Sequence, residues 1–177
     1  MPVIAAQTCD REVVTEYSST TSRAVIQHDL TADSNIYASL SEGFKAGGYA
    51  TYECTEPYDP EEVTSLEFGF KGSLGENTSL NASLFRYDYT DFQVLQVVGI
   101  QTVTRNAGDA TVNGLELEAL TNVSDSLTLN YGVTLLDATY GDFLNTNGLE
   151  PQLGVQQLEG NYLSNAPKVS VNFGLNY

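Results

Sequence analysis

The sequence predicts an all-β chain: an antiparallel sheet of about seven strands, with short turns on one rim and long loops on the other. Three observations carry this reading. Apolar and polar residues alternate with a period of two through most of the 177 residues. The composition suits pleated sheet and turn, with 11 tyrosines and 7 phenylalanines among abundant Thr, Asn, Ser and Gly. No segment shows convincing helical periodicity, and none is apolar for the ~18 residues that a membrane helix needs.

Each element can be justified in order. In "SRAVIQHDL", Ala24, Ile26, His28 and Leu30 share one face and Arg23, Val25, Gln27 and Asp29 the other, so the phase of this first strand is ambiguous. "SNIYASLSEG" is cleaner, with Ile36, Ala38 and Leu40 opposing Tyr37, Ser39 and Ser41. "VTSLEFGFKGSL" sets Leu66, Phe68 and Phe70 against Glu67, Gly69 and Lys71. "TSLNASLFRYDYTDFQVLQVV" alternates as well, but its phase slips near Phe85; that reads as a bulge, or as a strand continuing past the apolar layer. "NGLELEAL", "SLTLNYGVTLL" and "KVSVNFGLNY" repeat the pattern, with Leu115 and Leu117, Leu127 to Leu135, and Val169 to Tyr177 on their apolar faces.

The connections alternate in length. Residues 72–79 and 121–126 are short and polar, as tight hairpins are. Residues 43–62 and 141–167 are long and rich in Gly, Asn, Pro and acids, and the link at 98–101 closes a pair of extended arms.

Bulk properties exclude several functions. A net charge of −16, from 23 acids against 7 bases, leaves nothing to neutralise a row of phosphates, so nucleic acid is excluded as a partner. Docking on an anionic lipid surface through basic residues fails for the same reason. His28 is the single histidine, and Cys9 and Cys54 lie far apart, so zinc lacks ligands. A Cys9–Cys54 disulfide and two unpaired thiols both remain open. His28 and Asp29 are strand neighbours on opposite faces and cannot act as a dyad. The acids around residues 53–62 lack the spacing of a calcium loop. No nucleophile, base, metal set or cofactor motif assembles, so neither an enzyme nor a cofactor is expected. "MPVIAAQTCD" has no basic, apolar leader, so an export signal is expected elsewhere.

The same alternation serves two architectures. In a soluble sandwich the apolar face meets a second sheet; in a transmembrane β-barrel it meets lipid, and the polar face lines the lumen. Aromatics near strand ends (Tyr37, Tyr87, Tyr89, Phe92, Tyr140 and Phe143) favour the barrel as a girdle at the membrane interfaces.

Five stretches, "NIYASLSEGFKAGGY", "DPEEVTSLEFGFKGSL", "LNASLFRYDYTDFQVLQV", "RNAGDATVNGLELEAL" and "LEGNYLSNAPKVSVNFGLNY", occur in an order and spacing that closely resemble the later barrel strands of TonB-dependent outer-membrane receptors. The resemblance spans residues 15–177. It implies an irregular segment over 1–21 and a partial barrel over 22–177, in the outer membrane of a Gram-negative bacterium. A receptor of this kind has about 22 strands around a plug domain, and this sequence shows neither the plug nor the TonB-contacting segment. The resemblance therefore implies a fragment of a receptor that takes up a scarce extracellular ligand such as a ferric siderophore. Its partners are outer-membrane lipid and that ligand, with TonB and plug engaged only in the full-length parent. A small complete barrel of about eight strands and a soluble adhesin-like module are the alternatives.

On this resemblance, Gly43, Phe44, Lys45, Gly47, Gly48 and Tyr49 mark the rim where a strand leaves the membrane. The glycines would allow a sharp turn or bulge, Phe44 and Tyr49 would suit the interface, and Lys45 would pair with headgroup phosphates or Glu42. A phosphate-binding loop is excluded there, because no Ser or Thr follows the lysine and no helix follows the loop. Glu67, Lys71, Glu116 and Glu118 would face the lumen as solvated charges. Asn106, Ala107 and Gly108 would break an extended arm.

Overall fold

The computed structural model describes residues 14–49, 57–98, 101–146 and 150–177. Cys9 and Cys54 lie outside them. Strands β1 (Arg23–Thr31), β2 (Ser34–Lys45), β5 (Glu61–Leu74), β6 (Thr78–Thr90), β9 (Ala110–Ser124), β10 (Leu127–Tyr140) and β13 (Val169–Asn176) form one antiparallel sheet in that order. Each is followed in the sheet by its next long neighbour in sequence, so every connection is a hairpin, short or elaborated.

The two rims differ as the connection lengths predict. Residues 32–33, 75–77 and 125–126 are the tight turns of one rim. Gly75 sits in one of them at φ 67°, a conformation that an L side chain resists. The opposite rim carries the long excursions. Residues 46–60 hold the ribbon of β3 (Gly48–Tyr49) and β4 (Pro57–Tyr58), and 91–109 hold the hairpin of β7 (Gln93–Val98) and β8 (Gln101–Asn106). Residues 141–168 hold β11 (Leu144–Thr146), a 3-10 turn (Pro151–Leu153) and β12 (Val155–Gln157), the two strands pairing as a third ribbon.

Register converts the alternation into two continuous faces. Directly opposed residues share a face, and one row runs Ile26, Ala38, Phe68, Leu84, Leu115, Leu135, Val169. The next row toward the tight turns runs His28, Ile36, Phe70, Ala82, Leu117, Val133, Val171. These rows stay uncovered: Ile26 is 72% exposed, Leu84 58% and Val171 69%. No described residue packs a second layer on them, so the sandwich is not formed. A face this apolar left open demands a non-aqueous solvent.

The apolar band does not follow the hydrogen-bonded rows exactly across the sheet. One row nearer the loops, Ala24, Leu40 and Leu66 are apolar, but their continuation is Arg86, Asn113 and Asp137. One row nearer the turns, Ser34 and Gly72 give way to Leu80, Ala119, Tyr131 and Phe173. The band thus steps toward the turns from β1 to β13. Strands tilted against a membrane require this, because constant depth in the bilayer cuts obliquely across the rows.

The phase slip near Phe85 is resolved by the same geometry. Pairing of β6 with β5 and β9 is unbroken from Thr78 to Tyr89, so no bulge forms there. The strand simply outruns the apolar band. Its outward residues become Arg86 and Asp88, joined by an ion pair of 2.6 Å, while Phe85 and Tyr87 stack on the opposite face with centroids 4.8 Å apart.

That opposite face is closely fitted over glycines. Tyr37 lies across its cross-strand partner Gly69, and Phe85 across its partner Gly114; a Cβ at either glycine would overlap the ring. Phe85 is buried to 7% exposure in consequence.

Gly114→Ala is expected to cost about 1–3 kcal/mol by overpacking, measured by urea unfolding in lipid. A Cβ at Gly75 meets nothing, so Gly75→Asn, which tolerates positive φ, should be near neutral in the same assay. On the outward face, Leu84→Arg should cost about 2–4 kcal/mol if the band lies in hydrocarbon, whereas its inward neighbour Ser83→Arg should cost far less.

Candidate functional site

The polar face of the sheet concentrates the chain's inward chemistry. Rows there run Asn35, Lys71, Asn81, Glu118 and, one step nearer the loops, Tyr37, Gly69, Ser83, Glu116. Glu67 lies one step further, opposite Ser39 and Phe85. The structure thus gathers Glu67, Lys71, Glu116 and Glu118 on one face, around a hollow of about 220 Å³ also lined by Tyr37, Asn81 and Ser83. Period two forces this grouping. Each charge sits an even number of residues from the others on its strand, and antiparallel register aligns the strands.

Tyr37 organises the cluster. Its hydroxyl donates to Glu67 Oε1 at 2.5 Å, and Lys71 Nζ lies 5.2 Å from its ring centroid. One phenol therefore satisfies the acid at its tip and the ammonium over its face. Glu116 and Glu118 exceed the single lysine in charge, so the hollow is net negative. Such a surface favours a cationic or strongly hydrogen-bonding visitor.

The aromatics are placed differently from the expected girdle. Tyr37, Tyr87 and Tyr89 belong to the polar face, and Tyr140 shares a row with Tyr89 through Ala110. Tyr89, Phe92, Tyr140 and Phe143 then form a chain of ring contacts with centroids 5.2, 6.4 and 5.3 Å apart. They are an interior cluster beneath the long loops. Alternation near strand ends cannot separate the two roles, because it says that residues share a face without saying which solvent that face meets.

The rim glycines also work by a different mechanism. None of Gly43, Gly47 and Gly48 has positive φ. They are instead points of close approach: a Cβ at Gly47 would overlap the Tyr58 carbonyl and crowd the Tyr17 ring, and one at Gly48 would meet the Tyr58 hydroxyl at 2.7 Å. Tyr49 lies in the ribbon with Pro57, and Phe44 lies on the outward face beyond Leu40. Lys45 pairs at 3.9 Å with Glu61, its cross-strand neighbour, and not with Glu42, whose carboxylate takes two hydrogen bonds from Ser22. Among the described residues no group of three or more His, Cys, Asp or Glu is arranged to hold a metal ion.

Two loop amides were not singled out by sequence reasoning. The sequence predicts Asn106 only as part of a strand break, and nothing in it marks Gln93. Both reach across to the 46–60 loop, Asn106 to the main chain of Asp59 at 2.7 and 3.0 Å, and Gln93 to the carbonyls of Ala46 and Asp59. The signal in the sequence is the Asn106-Ala107-Gly108 run itself; in the structure Ala107 is buried and Gly108 sits at φ 78°, where a Cβ would overlap the Asp142 carbonyl.

Tyr37→Phe keeps the ring over Gly69 and Lys71 but removes the bond to Glu67. It should cost about 1 kcal/mol in urea unfolding, whereas Tyr37→Ala, which also uncovers Gly69, should cost clearly more.

Comparison with known proteins fits this geometry. A family profile described as TonB dependent receptor-like, beta-barrel, matches residues 6–177. A probable TonB-dependent siderophore receptor, PiuA, of Acinetobacter baumannii is 31% identical over 124 residues, 67% of this chain and 16% of that protein. The pesticin receptor of Yersinia enterocolitica is 33% identical over 95 residues, 51% of this chain and 14% of that protein. Among solved structures, the ferric yersiniabactin uptake receptor FyuA of Yersinia pestis superposes with a TM-score of 0.67 at 19% identity, over 86% of this chain and 22% of its own. The A. baumannii siderophore receptor PiuA does so with a TM-score of 0.64 at 22% identity, over 88% and 23%. The chain therefore spans less than a quarter of the length of these relatives. It belongs to the TonB-dependent receptor β-barrel family of the Gram-negative outer membrane.

Proposed function

We propose that this chain is an arc of a ligand-uptake barrel, part of a TonB-dependent receptor for a scarce extracellular compound such as a ferric siderophore. The observation that carries the reading is a single-layer sheet with an uncovered apolar face, an acidic polar face and all its long loops on one rim. The apolar band lies in the outer membrane and the long loops face the exterior. The cluster of Tyr37, Glu67, Lys71, Glu116 and Glu118 borders the lumen, where the plug domain of the parent receptor docks. The open edges at β1 and β13 are completed by further strands of the same barrel, since lipid does not tolerate unpaired backbone. Energised transport belongs to the assembled receptor with its plug and TonB. The family is one of receptors.

Two experiments test this. In a chain with Cys9 and Cys54 replaced by Ser, an environment-sensitive dye is placed on Phe68→Cys or Ser83→Cys after insertion into vesicles. The first label should be quenched by nitroxide on lipid chains, the second by aqueous iodide. Equal response to both quenchers at both sites would sink the membrane assignment. For the ligand class, residues 14–177 would replace the matching stretch of the A. baumannii siderophore receptor. Iron-limited growth on that receptor's siderophore should persist; a surface-displayed chimera that takes up none would remove the support for siderophore uptake.

A further inference from the structure

We infer that the described parts of the three long loops of the outer rim, residues 46–49 and 57–60, 91–98 and 101–109, and 141–146 and 150–160, behave as one rigid lid, held by a carboxamide clamp made of Gln93 and Asn106. The Asn106 amide pairs with the main chain of Asp59 in both directions. Its Oδ1 accepts from the Asp59 N–H at 2.7 Å, and its Nδ2 donates to the Asp59 carbonyl at 3.0 Å. A side chain here does what a neighbouring strand would do, across 47 residues of sequence. The same Nδ2 donates to the Asp91 carbonyl at 2.7 Å, tying the clamp to the base of its own hairpin.

Gln93 closes the second half. Its Nε2 donates to the carbonyls of Ala46 and Asp59 at 3.0 and 3.1 Å, and its main-chain N–H donates to Glu61 Oε2 at 2.6 Å. Gln93 and Asn106 are cross-strand partners in the β7–β8 ribbon, so the two amides stand side by side. A carboxamide suits both positions, since Gln93 supplies a donor and Asn106 a donor and an acceptor at once.

The third loop is joined to the same hairpin. Gln96 Nε2 donates to Asn145 Oδ1, and the Gly141 N–H donates to the Asp109 carbonyl at 2.8 Å. On the same rim Val103 is 2% exposed, Ala107 1% and Phe143 6%. Most of the described sheet buries little, so this density at the rim is out of proportion to ordinary loops, which open at little cost. A load on Gly141 or Asn145 is therefore transmitted through the hairpin to Ala46 and Asp59.

Hydrogen exchange on the full chain in lipid, with no ligand present, tests the lid separately from any uptake role. Asn106→Asp keeps the shape and removes both donor bonds; Asn106→Ala and Gln93→Ala do so without adding charge. Each should raise exchange about tenfold, the factor that goes with losing one or two net hydrogen bonds. The rise should appear together at residues 57–61 and 91–96, with residues 80–84 unchanged. Asn77→Asp, at a tight turn of the other rim, should move none of these. A rise confined to residues 104–108, no rise at all, or equal loosening at 80–84 would each overturn the lid.

Discussion

The structure depends on backbone hydrogen bonding where water is absent. In hydrocarbon every N–H and C=O must find a partner in the chain, and a tilted antiparallel sheet supplies those partners strand by strand. The long pairings of β5, β6, β9 and β10, interrupted in register at Leu127/Thr128 beside one tight turn, follow from that requirement. So does the thinness of the molecule. With lipid against the apolar face, a second layer is unnecessary, and hydrophobic burial is delegated to the membrane.

With the outer face assigned to solvent, packing specificity moves inward. Rings laid over cross-strand glycines at Gly69 and Gly114 let bulky side chains lie flat against the sheet. This keeps the inner surface smooth and holds Tyr37 where it can meet both Glu67 and Lys71. Aromatic residues that a hydropathy argument assigns to the membrane interfaces thereby share the polar face and meet one another where the sheet joins the long loops.

The loops, in turn, are more structured than their composition suggests. Glycine-, asparagine- and acid-rich connections usually mean mobile surface. Here each carries its own two-stranded ribbon, and side-chain amides replace the strand neighbours that a sheet would have provided. The rim of the barrel is where rigidity independent of lipid is built.

Strand identity, order and facing were legible in the sequence, because a period of two leaves each side chain one of two faces. Leu66, Phe68 and Phe70 against Glu67 and Lys71 needs no coordinates. The acidic composition likewise argues by itself against a nucleic-acid partner. Tertiary structure alone decided the partners. It chose Glu61 for Lys45, turned Tyr87 and Tyr89 inward, and replaced a bulge at Phe85 with a strand leaving the apolar band. It also joined Asn106 to Asp59. The physical reason is that alternation is a local property of each strand, whereas register, tilt and contacts between loops are set by residues distant in sequence.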